Sequence, residues 1–335
     1  MNVLVTGGAG FIGRWVVNKL LKDGHNVTAF DNLANGSEKN IEEFRNNDRF
    51  KFIKGNICSE EDLDALFTEN YDIIYHMAAS INVQDSIDDP KTTFFNDTVG
   101  TFNILMKAKK QMFGEHGRMD GDNWILDDKE KTSPCKVVFM STCMVYDKCS
   151  LETGIDEKHP TKPVSPYGGS KIAAENMVLS FYHAYKLPTT VIRPFNTYGP
   201  FQKSGGEGGV VAIFIKNSLH NKAINIYGTG DQTRDLLYVK DCADFVVGSG
   251  YSQKTNGEIL NAGTGRDITI NELAKLISSG RSEINHIKHI HPQSEIMKLL
   301  CNYSKAEKYL GWKPKYTLEQ GVKETEQWIK QTEEA

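Results

Sequence analysis

Long apolar runs, long basic runs and closely paired cysteines are all absent from this 335-residue sequence. No apolar run approaches the ~18 residues that a membrane-spanning helix needs, so we expect no membrane partner. The net charge is -4 without a basic patch in the sequence, which argues against nucleic acid as a partner. The N-terminal residues lead directly into a predicted strand and lack the layout of a signal peptide, so we predict a cytoplasmic protein.

The six cysteines are too sparse for a disulfide scaffold, and none of them has the CxxC spacing of a metal or redox site. Reduced thiols are typical of a cytosolic enzyme. His286, His289 and His291 lie close together in the sequence, but we predict no metal site because we find no further ligand that completes the set. With 39% hydrophobic residues, the chain can bury a full core.

A glycine-rich turn between a predicted strand and a predicted helix is the first motif that indicates a function. Gly8, Gly10 and Gly13 have the spacing G-x-G-x-x-G, which permits a tight turn and lets backbone N–H groups approach a pyrophosphate. The phosphate then rests at the positive end of the helix. The next strand ends in Asp31, near the ~20-residue offset at which an acid binds the ribose hydroxyls. Since Asp31 would repel a 2′-phosphate, NAD is favoured over NADP.

Further residues at strand ends and turns are assigned to the same cofactor site, because short side chains let a flat ring approach the backbone. These residues are Gly7, Phe11, Ile12, Asn32, Asn56, Ile57, Ala78, Ala79, Asn96, Ser141 and Pro194. Tyr167 and Lys171 are also assigned to the cofactor, which Lys171 is expected to orient. Taken alone, Asn56 is more typical of a turn. Likewise, His76 is more typical of a hydrogen-bonded residue at a strand end than of a ligand or a base.

Alternating strands and helices predict an α/β fold with a doubly wound parallel sheet. We assign residues 1–195 plus about 236–262 to this dinucleotide-binding domain, and about 196–235 plus 263–335 to a smaller, mixed α/β C-terminal lobe that binds the substrate. One helix is predicted from Phe94 to Lys110. The segment Gln111 to Cys135 is long for a connection, and we expect it at the amino edge of the sheet as a surface or subunit-contact element.

A second group of candidate residues follows the apolar strand that begins at Val137. The strand ends in Ser141 and Thr142, followed by Cys143 and Met144. In an open parallel sheet, ligands lie beyond the carboxyl ends of the strands. These small and polar side chains are therefore predicted to meet a reacting substrate.

Tyr167 and Lys171 are spaced i, i+4 at the start of a predicted helix, which places them on one face. Tyrosine is a poor base at its ordinary pKa of ~10. The ammonium of Lys171 and the positive nicotinamide of NAD are expected to lower the pKa of Tyr167. Tyr167 would then take a proton from a substrate hydroxyl that Thr142 holds, while NAD takes hydride from the same carbon. Such a trio oxidises an alcohol.

As a set, these motifs resemble those of the extended short-chain dehydrogenase/reductase family of NAD-dependent nucleotide-sugar epimerases and dehydratases. The resemblance rests on Thr6 to Gly13, Asp31-Asn32-Leu33, His76 to Ala79, Ser141-Thr142, Tyr167-x-x-x-Lys171, Arg193 to Pro200, Arg234-Asp235 and Leu310-Gly311-Trp312-x-Pro314. It implies the Rossmann form of the doubly wound sheet, tightly held NAD, a nucleoside-diphosphate sugar as substrate in the cleft between the lobes, a transient 4-keto sugar and a homodimer built on two helices per subunit. It also implies that Asn196 and Arg234 contact the sugar nucleotide, with Arg234 near the diphosphate. We add Tyr227 to this substrate site.

Two departures from the family pattern bear on the reaction. Members that eliminate water usually carry an Asp-Glu pair directly after the threonine, where this chain has Cys143 and Met144. The second is His291, where relatives usually place an arginine. Epimerisation at C4 needs no further acid or base, so a 4-epimerase is the preferred hypothesis. A dehydratase in which Cys143 replaces the usual acid is the alternative, and a non-catalytic NAD-binding scaffold is an alternative of another class. Alternatively, we interpret Cys143 and Met144 as packing residues.

Overall fold

Strands and helices alternate along most of the chain in the computed structural model, which describes residues 1–120, 123–125, 132–150, 152–203, 209–289 and 295–333. The strands are β1 Asn2–Thr6, β2 Asn26–Asp31, β3 Phe50–Lys54, β4 Ile73–His76, β5 Arg118–Asp120, β6 Asn123–Ile125, β7 Lys136–Met140, β8 Thr189–Pro194, β9 Asn196–Tyr198, β10 Ile224–Tyr227, β11 Thr233–Tyr238, β12 Glu258–Ala262, β13 Asp267–Thr269, β14 Ile284–Ile287 and β15 Lys298–Leu299. The helices are α1 Phe11–Lys22, α2 Glu60–Leu66, α3 Val83–Asp88, α4 Pro90–Phe94, α5 Gly100–Phe113, α6 Pro166–Tyr185, α7 Val210–Leu219, α8 Val239–Tyr251, α9 Ile270–Ser278, α10 Ser304–Leu310 and α11 Leu318–Glu333.

Seven parallel strands form the central sheet in the order β12-β8-β7-β4-β1-β2-β3. Val3, Leu4 and Val5 in β1 are almost completely buried, as expected for a strand that helices cover on both faces. Helices α1 and α8 pack together on one face, and α5 and α6 pack together on the other. The α/β fold with a doubly wound parallel sheet is therefore confirmed.

Smaller sheets lie in the C-terminal part of the chain. Strands β9, β13 and β15 all pair with β11, and β10 pairs with β14. This region therefore has its own mixed α/β core, in which α7, α9 and α11 contribute buried side chains. The sequence-based domain boundary near residue 236 stays a prediction; β11, which spans it, lies wholly in the smaller sheet.

The helix predicted from Phe94 to Lys110 is confirmed, but it is longer than predicted and contains a π-helical turn. The structure has α4, then a π-helical turn from Phe95 to Val99, and then α5, which continues to Phe113. A π turn inserts one extra residue into the helical repeat and often occurs at functional sites. Here it turns the buried carboxyl group of Asp97 towards α6.

The segment from Gln111 to Cys135 contains the end of α5 and an antiparallel hairpin of β5 and β6. Gln111 joins it to the domain, since its side chain exchanges hydrogen bonds with the backbone of Tyr71. Residues 121–122 and 126–131 lie outside the described residues, and the subunit-contact role stays a prediction. Within the described part of the chain, no helix is both long and apolar enough to cross a membrane.

Candidate active site

The glycine turn lies between β1 and α1 and is closely packed. A Cβ atom on Gly7, where φ is +70°, would lie 2.8 Å from the backbone nitrogen of Ala78, and one on Gly13 would lie 2.0 Å from the carbonyl oxygen of Gly7. Phe11 and Ile12 begin α1, so their N–H groups have no partner within the helix. The turn therefore offers unpaired N–H groups and a positive helix end to a phosphate.

Gly13→Ala tests this close packing. The added methyl group must displace backbone, so we expect the free energy of unfolding to fall by about 1–3 kcal/mol and NAD affinity to fall with it. Urea denaturation and NAD titration measure the two effects. Gly248→Ala is the matched control, because nothing lies within 4 Å of its Cβ position in α8. Equal losses in both variants would contradict the close approach at Gly13.

Asp31 lies at the end of β2, beside the glycine turn. One carboxyl oxygen accepts the N–H of Leu33 at 2.7 Å, and the other accepts that of Ala9 at 3.1 Å. Burial raises the pKa of Asp31, and these two hydrogen bonds oppose that increase. Because a carboxylate can accept more than two hydrogen bonds, lone pairs remain for the ribose hydroxyls. The predicted dinucleotide therefore fits this corner of the sheet.

Two other residues predicted for the cofactor site make local hydrogen bonds. The side-chain oxygen of Asn56 accepts the N–H of Cys58 at 2.9 Å, which is the turn interpretation of Asn56. Asn96 donates to the hydroxyl of Ser80 at 3.1 Å, next to the loop that carries Ala78 and Ala79. Their contact with the cofactor stays a prediction, as it does for the other residues assigned to the cofactor site.

His76 is the hydrogen-bonded strand-end residue that the sequence predicts. Thr6 Oγ1 lies 2.7 Å from Nδ1 and also accepts the N–H of Ala78, so its own proton goes to the ring. Thr101 Oγ1 lies 3.0 Å from Nε2 and donates to the carbonyl oxygen of Asp97, so it accepts from the ring. Burial lowers the pKa of His76 to about 3. His76 is therefore neutral and connects the strand end to the loop beside the glycine turn.

Thr142, Tyr167 and Lys171 come together at the carboxyl edge of β7. Ser165 caps α6 by accepting the N–H of Gly168, and this places Tyr167 in the first helical turn. Thr142 lies just after the end of β7, and its side chain acts to lower the pKa of the Tyr167 hydroxyl. Lys171 donates to the carbonyl oxygen of Met140 at 3.1 Å. The three side chains that the sequence predicts for catalysis are therefore neighbours, and all three are at least nine-tenths buried.

The lowered pKa that the sequence predicts for Tyr167 depends on Lys171 together with bound NAD, and it stays a prediction. Burial raises the pKa of Tyr167 well above its ordinary value, and the negative charge of Asp97 raises it further. The side chain of Thr142 lowers it only in part. Burial also lowers the pKa of Lys171, although Asp97 and Glu175 oppose this. Tyr167 is therefore a phenol, and the site needs a further positive charge to become basic.

Cys143 is buried in an apolar cluster with Val145, Phe195 and Cys301. Burial raises the pKa of Cys143 to about 12, so the thiol is protonated at neutral pH and is not a base. This position agrees with the interpretation of Cys143 as a packing residue. A catalytic role for Cys143 would be limited to donating a proton.

Two buried polar atoms at the site have no hydrogen-bond partner among the described residues. They are the hydroxyl oxygen of Ser141 and the side-chain amide oxygen of Asn196. The sequence assigns Ser141 to the cofactor and Asn196 to the substrate. An unpaired buried polar atom costs about 1–3 kcal/mol, so both atoms are suited to a bound polar ligand.

On the C-terminal side of the site, Arg234 forms an ion pair with a residue that the sequence analysis did not assign to the site. Its guanidinium group is paired with Glu295 and donates to the carbonyl oxygen of Ile296 at 2.8 Å. Glu295 also hydrogen-bonds to His289, whose ring lies 6.1 Å from that of Tyr227. The predicted contacts of Arg234 and Tyr227 with substrate stay predictions. Residues 290–294, which include His291, lie outside the described residues.

Asp97 is the second residue at the site that the sequence analysis did not identify. The sequence analysis assigned Asn96 to the site, whereas the structure buries the neighbouring Asp97 completely beside α6. The burial of Asp97 could be inferred from helical periodicity, because Asp97 is four residues before Thr101 and eight before Leu105, and both of these are buried in α5.

Among the described residues, no group of three or more histidine, cysteine or acidic side chains is arranged to hold a metal.

Comparison with known proteins gives matches over nearly the whole chain. A family model described as GDP-mannose 4,6 dehydratase matches residues 4–325. A putative UDP-glucose 4-epimerase from Methanocaldococcus jannaschii is 33% identical over 98% of this chain and 98% of its own length. A dTDP-D-glucose 4,6-dehydratase from Homo sapiens is also 33% identical, over 98% of this chain and 90% of its own.

The similarity to solved structures also extends over nearly the whole chain. Pal from Bacillus thuringiensis is 59% identical, with a TM-score of 0.90 over 99% of this chain and 100% of that one. UDP-glucose 4-epimerase from Thermotoga maritima, solved with UDP-glucose, is 32% identical, with a TM-score of 0.86 over 99% of both chains. UDP-glucuronic acid 4-epimerase from Bacillus cereus, in complex with UDP-glucuronic acid and NAD, is 29% identical, with a TM-score of 0.83 over 99% of this chain and 100% of that one.

Proposed function

Since this chain belongs to the GDP-mannose 4,6 dehydratase family of nucleotide-sugar epimerases and dehydratases, we propose that it is an NAD-dependent nucleotide-sugar 4-epimerase. The observation that carries the proposal is the grouping of three buried side chains, with Thr142 just after the end of β7, Tyr167 in the first turn of α6 and Lys171 one helical turn further on. Cys143 and Met144 stand directly after Thr142, where a carboxyl pair would take a proton from C5. Oxidation and reduction at C4 therefore account for the residues at this site.

The roles of the chain's own residues follow from their positions. When bound, NAD supplies a hydride acceptor and a positive charge that favours the phenolate of Tyr167. Tyr167 takes the proton of the C4 hydroxyl as hydride leaves C4, and it returns a proton when hydride returns to the opposite face. Thr142 holds the same hydroxyl, and the ammonium of Lys171 supports the phenolate. The substrate is a nucleoside-diphosphate sugar, with Arg234 at its diphosphate and Asn196 and Tyr227 at its sugar and nucleotide.

A dehydratase of the same fold is the second candidate. The observation in its favour is the position of the Cys143 thiol directly after Thr142, although burial raises its pKa to about 12 and makes it a weak acid. Relatives with each activity are 33% identical to this chain, so overall similarity does not separate the two candidates. The thiol is enclosed in an apolar cluster, and for this reason the epimerase is preferred.

Product analysis in deuterated water separates the two candidates. The protein is incubated with NAD and, in turn, with UDP-glucose, UDP-N-acetylglucosamine and UDP-glucuronic acid, and the products are examined by mass spectrometry and NMR. We expect an isomer of unchanged mass without deuterium on its carbon atoms. Loss of water, or deuterium at C5, would exclude the simple epimerase. The Tyr167→Phe protein is the control for reactions that do not use the site.

Quaternary structure, location and domain division complete the proposal. We propose a homodimer that pairs through α5 and α6, because Phe94, Phe95, Phe102 and Met106 are between 38% and 48% exposed along this side of the protein.

A cytoplasmic location agrees with six cysteines that all carry free thiols. The substrate lies between a cofactor domain, residues 1–195 plus about 236–262, and the C-terminal lobe.

A further inference from the structure

Asp97 has a buried carboxyl group next to the two residues that the proposed chemistry uses most. It lies in the π-helical turn before α5 and is 0% exposed. One oxygen accepts the N–H of Ser80 at 2.7 Å, and the other accepts the hydroxyl of Ser170 at 2.9 Å. Ser170 lies between Tyr167 and Lys171 on α6. A single hydrogen bond therefore joins Asp97 to the helix that carries both.

The two hydrogen bonds of Asp97 come from neutral groups, so they do not cancel its charge. Burial raises the pKa of Asp97, and Lys171, the cation that faces it from α6, opposes that increase. Their atoms are not in direct ion-pair contact among the described residues, because Lys171 donates instead to the carbonyl oxygen of Met140. Asp97 therefore acts on Lys171 through space.

The other titratable groups around this pair are neutral or already paired. From β4, His76 faces Lys171 and is neutral because burial lowers its pKa to about 3. From the loop after β3, Cys58 faces Asp97, and burial together with Asp97 raises the pKa of its thiol. From α6, Glu175 also supports Lys171 but forms a buried pair with Arg193.

On the Tyr167 side, the facing groups are Asp97, Thr142 and Cys143. Burial raises the pKa of Cys143, so its thiol is uncharged at neutral pH. Asp97 is therefore the anion that faces Tyr167 within the described part of the chain. Its charge opposes the phenolate of Tyr167 and supports the ammonium of Lys171.

We propose that Asp97 is a positioning residue, acting through Tyr167 and Lys171, whose negative charge keeps Tyr167 protonated until the oxidised cofactor is bound. The inference rests on the proposed function, because it concerns the base of that reaction. Its consequence is that the phenolate forms only when a positive nicotinamide compensates for Asp97.

Asp97→Asn tests the charge with little change in shape. The variant is loaded with NAD without any sugar and labelled with carbon-13 at the tyrosine ring, and the Tyr167 signal is assigned by its absence in Tyr167→Phe. We expect Tyr167 to titrate about one pH unit lower than in the wild-type protein, because a like charge nearby has been removed. The acidic limb of the pH–rate profile should move by the same amount. An unchanged titration of Tyr167 would overturn the proposal.

Ser170→Ala is the matched control, since it removes the hydrogen bond to Asp97 but keeps the charge. A purely structural role predicts that both variants behave alike, whereas the proposal predicts that only Asp97→Asn shifts the titration. In the wild-type protein, carbon-13-labelled aspartate gives a second measurement, with Asp97→Glu for assignment. Asp97 must be ionised wherever Tyr167 titrates, and a protonated Asp97 would overturn the proposal. Because the titrations contain no sugar, failure of the proposed reaction leaves them intact.

Discussion

Tyr167→Phe is expected to lower kcat by about a thousandfold, with little change in NAD binding. A positioned acid or base contributes ~10²–10⁴-fold, and phenylalanine keeps the ring but removes the only atom that exchanges a proton. The ring itself stays buried at the start of α6, so the fold should be retained. Steady-state kinetics with the sugar nucleotide identified by product analysis measure the change in kcat, and NAD titration measures binding.

Tyr182→Phe is the control for the loss of a tyrosine hydroxyl from the same helix. Tyr182 lies toward the other end of α6, where its ring contacts the Lys186 side chain rather than the site. The kcat of the Tyr182→Phe protein should stay within about twofold of the wild-type value, because substitutions away from the site typically change the free energy by less than ~0.5 kcal/mol. Full turnover by Tyr167→Phe would contradict both the epimerase and the dehydratase. Loss of NAD binding in that variant would instead indicate a structural defect.

Glu175→Gln is expected to lower the free energy of unfolding by about 3–5 kcal/mol, because it leaves the guanidinium group of Arg193 buried without a countercharge. Arg193 donates from Nε to one carboxyl oxygen at 2.9 Å and from Nη2 to the other at 2.5 Å. Both side chains are 3% exposed. Burial by itself would lower the pKa of Arg193, but Glu175 and Tyr146 raise it above its ordinary value.

Urea denaturation measures this loss, and Glu69→Gln is the matched control. Glu69 pairs with Lys51 at 2.9 Å, but both side chains are 54% exposed. Solvent screens such a pair, so its loss should cost at most about 1 kcal/mol. Equal losses for the two variants would show that the Arg193 pair has no special contribution. The position of this pair matters for function, because it joins α6, which carries Tyr167, to β8.

Local signals were sufficient for the parts of the site that depend on neighbouring residues in the sequence. The glycine spacing predicted the turn between β1 and α1, and Asp31 was predicted at the end of β2. The i, i+4 spacing of Tyr167 and Lys171 placed both on α6. In each case the backbone geometry of a strand, turn or helix sets the positions, and that geometry is encoded within a few residues.

The helix around residues 94–110 shows how far such signals reach. Its apolar periodicity indicates a helix but does not indicate the π turn at residues 95–99, which packs against α6. In that turn Asp97 is completely buried. The engagement of Arg234 by Glu295 is also long-range, since the two residues are 61 positions apart.

By itself, therefore, the sequence determined the alternating α/β fold, the glycine turn and the residues of the catalytic trio, because each depends on local backbone geometry. Only the tertiary structure decided the direction in which burial shifts the pKa values of Tyr167 and Lys171. The pKa of Tyr167 depends on how completely the fold excludes water and on a carboxylate seventy residues earlier in the chain. Desolvation and charge act through space, so the strand that ends in Thr142 and the helix that begins at Pro166 acquire their chemistry only when Asp97 is packed beside them.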